Sequence, residues 1–213
     1  MVNERNPSEP MEIERVEEIG EQKETIKADL LEKIFQSPQF KKRLLESTNI
    51  TKKTGHEAGF TVSKKKKEDN VQVLSAREGT TDSCPVERDH IDENDSYRLI
   101  ELHFHPESYG LVKPSVVGGD LTVFTLENPI LIIGQITNEG KINLLLMQRM
   151  TKKPLNRFYL EDIKETIADA NTQKKILDVL KNAAIRAELV HFDKNKGFSN
   201  EDIDKIRSFE RIV

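Results

Sequence analysis

The chain predicts an α/β protein, a mixed β-sheet flanked by helices. Three observations carry this reading. Apolar residues recur at helical spacing before Gly55 and again beyond Pro154. Between Gly55 and Met150 the pattern changes to short runs of β-formers separated by turn residues. The order helix, sheet, helices then points to an α/β sandwich with a helical C-terminal extension.

The elements follow in order. Residues 1–25 hold eight Glu against Arg5, Arg15 and Lys23, together with Pro7 and Pro10, and read as an acidic mobile tail. Leu30, Leu31, Ile34 and Phe35 place a helix from Ile26 to Phe35. Ser37-Pro38 has the form of an N-cap with proline at the first helical position, opening a short helix through Phe40, Leu44 and Leu45. Strands are expected at Ala58 to Ser63, Val71 to Ala76, Tyr97 to His105, Leu121 to Leu126, Ile130 to Ile136 and Lys141 to Met150. The Lys64 to Lys67 run reads as a solvated hairpin turn, Glu78 to Asp95 as a loop, and Asn138-Glu139-Gly140 as a hairpin connection. Residues 151–213 form the extension, with helical stripes at Leu160, Ile163 and Ile167, then at Ile176, Leu177, Leu180, Ala184 and Ile185. Gly197 breaks the chain, and Ser199-Asn200-Glu201-Asp202 opens a last helix in the manner of a capping box.

Composition narrows the function classes. An apolar share of 36% against 33% charged residues supports one core over 26–150 plus appendages and argues against a membrane protein. No apolar run reaches the roughly 18 residues of a spanning helix, and no apolar signal region opens the chain. Cys84 is the one cysteine, which excludes an intrachain disulfide framework and fits a reducing cytoplasmic setting. Net charge is −4, and the tail carries −5 of it, so the rest is nearly neutral. With a pI of about 5.8 the chain lacks the basic footprint of a nucleic-acid binder.

The chemistry concentrates in Glu101-Leu102-His103-Phe104-His105-Pro106. Side chains alternate along a strand, so His103 and His105 share one face and can bind one metal. Downstream, Lys113-Pro114-Ser115-Val116-Val117-Gly118-Gly119-Asp120 supplies a carboxylate after a glycine-containing turn. Two His and one Asp make a catalytic zinc set, with a fourth position left for a water whose pKa falls to roughly 7. The base such a site needs is Glu57, at the start of the first strand, with Gly59 beside it allowing close approach of backbone or ligand.

In that order, Glu-x-x-Gly, His-x-His-Pro, Pro-Ser and Asp, the sequence resembles the JAB/MPN (JAMM) zinc metalloproteases over residues 38–150. Glu57 precedes His103 by 46 positions, as that family's arrangement suggests, and the strand after Asn128-Pro129 agrees in character. The resemblance implies a JAB/MPN-like (cytidine-deaminase-like) fold. It implies zinc held by His103, His105 and Asp120, with Glu57 as proton acceptor and donor. It also implies Ser115 as hydrogen-bond donor to the developing oxyanion. The substrate class it implies is a peptide or isopeptide bond after the Gly-Gly tail of ubiquitin, a ubiquitin-like protein or a sulfur carrier. A catalytically inactive scaffold or protein-interaction module on the same fold is the alternative.

The sequence departs from the family's pattern in one place. Four residues separate Ser115 from Asp120 where the family motif has two, and Ser108 and Glu107 stand as fallbacks for the hydroxyl and the carboxylate. Glu101 shares the strand face of the histidines as a possible second partner. His56 is expected to point away, and His191-Phe192-Asp193 to lie at the surface. A Cys84, His90 and Asp92 nucleophile is the weaker competing set.

Overall fold

Ser37 and Pro38 set the first sharp boundary. The Ser37 side chain accepts the Phe40 N–H at 3.1 Å, and Pro38 occupies the first turn, where its missing N–H costs nothing. The computed structural model describes residues 25–26, 28–68, 70–84, 95–106, 111–115, 120–121, 130–137, 139–150, 157–209 and 211–212. The acidic tail before Thr25 therefore lies outside the described residues, as do Ser108, Glu107, His90, Asp92 and the Gly118-Gly119 pair.

The elements are β1 (Thr25–Ile26), α1 (Ala28–Gln36), α2 (Pro38–Thr54), β2 (Ala58–Lys65), β3 (Val71–Val73), β4 (Arg77–Glu78) and β5 (Ser96–Phe104). There follow β6 (Ile130–Ile136), β7 (Ile142–Arg149), α3 (Arg157–Ala168), α4 (Gln173–Asn182), β8 (Ile185–Asp193), β9 (Gly197–Phe198), α5 (Asn200–Arg207) and β10 (Arg211–Ile212). The main sheet runs β3-β2-β5-β6-β7-β8-β9, with β4 pairing to β2. Only β5 and β6 pair in parallel; every other neighbour in it is antiparallel. A separate two-stranded sheet joins β1 and β10.

Alternation divides the sheet into two faces, each covered by helices. Leu102 and Phe104 of β5, Ile130 and Ile132 of β6 and Leu144 and Leu146 of β7 pack with α1, α2 and α5 in one core. Leu131, Ile133, Leu145 and Met147 face the other way, against α3 and α4. By the same alternation Glu101 and His103 point to the second face, away from the first core.

Five expectations need correction. The first helix begins at Ala28, because Thr25 and Ile26 pair with Arg211 and Ile212 as strands. The helix after Ser37 is not short: it runs 17 residues to Thr54, where Gly55 at φ +73° donates its N–H to Thr51 O. The strand expected to reach Ala76 ends at Val73, and the one expected from Leu121 starts instead as a helical turn at Asp120 and Leu121, with 122–126 outside the described residues.

The largest correction concerns the extension, which is not purely helical. Ala184 takes φ +56° and reverses the chain, and Ile185–Asp193 becomes β8, paired to β7 along its length. Ile185 fits the helical stripe of Leu180 as readily as a strand start, so periodicity alone misassigned it; pairing with β7 decided the matter. Residues 157–209 are thus built into both cores and the main sheet. The last helix forms as expected, with Ser199 and Asp202 making a capping box.

Candidate metal centre

The site is assembled on the second face of β2 and β5, beside the helices that cover β6 to β8. Gly59 pairs with His103 and Ala58 with Phe104, so the continuing register sets Glu57 opposite His105. The backbone of Glu57 is pinned on both sides. Its N–H donates to Thr80 O at 2.7 Å, and its carbonyl accepts from Gly79 N–H at 2.8 Å. Gly59 is required there. A Cβ at that position would stand 2.1 Å from Leu102 O and 2.9 Å from the Cα of His103. The close approach that glycine permits is therefore that of the neighbouring strand.

His103 Nε2 and His105 Nε2 are 3.1 Å apart. Asp120 spans them, with Oδ1 3.2 Å from His103 Nε2 and Oδ2 3.2 Å from His105 Nε2. Glu57 Oε1 lies 3.8 Å from His105 Nε2. Glu57, His103 and His105 each offer a ligand atom within 4.8 Å of the others, a group that could hold a metal ion. Glu57 and His103 are buried, at 7% and 5% exposure, so these donors are withdrawn from bulk water.

The four predicted residues Glu57, His103, His105 and Asp120 thus come together, and the longer spacing before Asp120 does not remove it. The two described residues that flank the longer spacing are joined directly: Ser115 N–H donates to Asp120 Oδ2 at 2.7 Å. Ser115 accordingly reaches the site through its main chain as well as standing beside it.

Electrostatics follow from this packing. Burial raises the Glu57 carboxyl above its ordinary value, with the fields of His103 and His105 opposing. Burial also disfavours a charged His103, but attraction and hydrogen bonding to Asp120 outweigh it, and its pKa rises. For Asp120 burial opposes ionisation, and the two histidines overcome it, holding the carboxyl well below the usual carboxylate range. Burial, then the charges of Glu57, Glu101 and Asp120, push the Cys84 thiol up to about 12. A thiol held protonated makes a poor nucleophile, which weakens the cysteine-based reading.

The remaining candidates fall outside the centre. His56 Nδ1 pairs with Glu78 at 2.7 Å. Glu101 shares the histidine face, as expected, and is engaged by Arg98 at 3.0 Å, both side chains buried. No sequence pattern announces that pair. It arises because the β2 register jumps from Ile100 to Arg98, leaving Leu99 as a bulge that turns Arg98 to the face of Glu101. His191 is exposed and hydrogen-bonds Asn143 at 2.7 Å. It lines a groove of about 760 Å³ with Gln135, Asp193 and Asp202, which none of the four site residues lines. Among the described residues, no helix is long and apolar enough to cross a membrane.

No protein-family model, curated protein or solved structure matches the chain. What the fold and the site define together is therefore a class: a mixed α/β protein whose sheet presents a buried Glu, His, His group able to hold a metal ion.

Proposed function

We propose that the protein is a zinc-dependent metallopeptidase or isopeptidase of JAB/MPN type. The observation that carries this reading is the convergence of His103, His105 and Asp120 with Glu57 beside them. Their mutual nitrogen–oxygen and nitrogen–nitrogen distances are 3.1, 3.2 and 3.2 Å. Tetrahedral zinc, with bonds of about 2.0–2.1 Å, separates its donor atoms by about 3.3 Å, close to the 3.1 Å between the two imidazole nitrogens, and Asp120, which meets the two histidines with different oxygens, would turn to offer one of them to the same ion. Two imidazoles and one carboxylate also form the donor set of an open catalytic site rather than a closed structural one.

Zinc bound there supplies a Lewis acid and an acidified water. The chain's own residues do the rest. Glu57, raised by burial, takes a proton at Oε1 and returns it to the leaving amine, a role for which a carboxyl shifted toward neutrality is suited. Ser115 stands next to the third ligand, where its hydroxyl would donate to the developing oxyanion. Asp120, held ionised, keeps both imidazoles oriented.

The Gly-Gly substrate, in ubiquitin, a ubiquitin-like protein or a sulfur carrier, is carried by the motif's resemblance. Cys84, free among the described residues, fits work in a reducing cytoplasm. The test is cleavage of ubiquitin-like fusions ending in Gly-Gly beside generic amide substrates. Release at Gly-Gly that a chelator abolishes and zinc restores supports the reading. Turnover of simple amides alone reassigns the substrate class, and a zinc-loaded chain with no turnover points to a scaffold.

A further inference from the structure

The third ligand differs from the other two in its support. His103 lies in β5 next to its last residue, and His105 follows the strand, with its N–H on Gly134 O at 3.1 Å. Asp120 instead lies outside the main sheet, and the segment 111–115, whose Ser115 holds it, is tied down from a distant part of the chain. Gln173, the first residue of α4, accepts the Val112 N–H at Oε1 (3.0 Å) and donates from Nε2 to Val112 O (2.9 Å). One carboxamide so satisfies both main-chain groups of Val112, as a neighbouring strand would. Val112 is itself buried at 2% in the core that α3 and α4 form. Three residues on, Ser115 N–H holds Asp120 Oδ2 at 2.7 Å.

We propose that Gln173 is a positioning residue for the metal centre, setting Asp120 through Val112 and Ser115; this rests on the metal-binding reading above. Two ligands carried by paired backbone need little help, whereas a carboxylate outside the sheet loses its place when its anchor is cut. Partners that orient ligands from outside typically govern metal affinity by about 10–100-fold. The arrangement ties the C-terminal region to the site through Val112.

The test compares Gln173→Met, of similar length but without hydrogen bonds, with Thr172→Ala. Thr172 caps the same helix by accepting Lys175 N–H, so its loss weakens α4 without releasing Val112. Zinc affinity is measured by chelator competition, and ligand geometry by the visible absorption of the cobalt(II)-loaded chain. Gln173→Met should bind zinc about 10–100-fold more weakly and change the cobalt spectrum, while Thr172→Ala lowers thermal stability and leaves both readouts unchanged. Should Gln173→Met not fold, Gln173→Glu, which keeps size and acceptor but loses the donation to Val112 O, decides in its place. Wild-type affinity and spectrum in the Gln173 variant overturn the proposal alone. A wild-type chain that takes up neither metal overturns the metal centre and the proposal with it.

Discussion

His103 Nε2 and His105 Nε2 stand 3.1 Å apart on one face of the strand end, with the Asp120 carboxylate bridging them. Without a cation, one imidazole can donate a proton to the other. On the proposed reading, a cation would instead take the lone pairs of both imidazoles, so that the hydrogen bond and the metal compete for the same two nitrogens.

Metal content is the first consequence. Purified wild-type protein should carry near one zinc per chain by inductively coupled plasma mass spectrometry, and the His103→Ala/His105→Ala double variant should carry none. Zinc at 100 times its Kd should stabilise the fold by about 2.7 kcal/mol, which for a chain of this size raises Tm by several degrees. Equal metal content in both proteins would place the ion elsewhere.

Glu57 separates binding from chemistry. Its backbone is pinned by Gly79 and Thr80, so Glu57→Gln keeps shape and position while removing the proton acceptor. Zinc content should be retained and kcat should fall by about 10²–10⁴-fold. Undiminished turnover would move the base to another residue.

Gly59 couples the fold to the site. A Cβ there meets Leu102 O at 2.1 Å and His103 Cβ at 2.9 Å, so β2 and β5 must part to admit it. Gly59→Ala should cost on the order of 1–3 kcal/mol in urea unfolding and weaken zinc binding, because the displaced residue is the proposed ligand His103. The chemically identical change Gly140→Ala, in open space but at φ +78°, should destabilise through the backbone alone and leave zinc affinity intact.

The sequence by itself determined what local rules can encode. The Ser37 and Ser199 caps, the alternation that aims His103 and His105 together, and most strands of the central sheet were legible, because each depends on a few neighbouring residues. The chemistry and order of Glu57, His103, His105 and Asp120 also singled out four residues that the fold brings together. Only the tertiary structure decided the rest. Ile185 satisfied a helical stripe and a strand start equally, and pairing with β7 settled it. The Arg98–Glu101 pair exists through a bulge at Leu99 that no single-strand pattern announces. Gln173 lies 61 residues from Val112, and its grip on that backbone has no local signature. A periodic pattern records which face of an element is apolar. It does not record which distant element arrives to cover that face or fasten its loops, as Gln173 does at Val112.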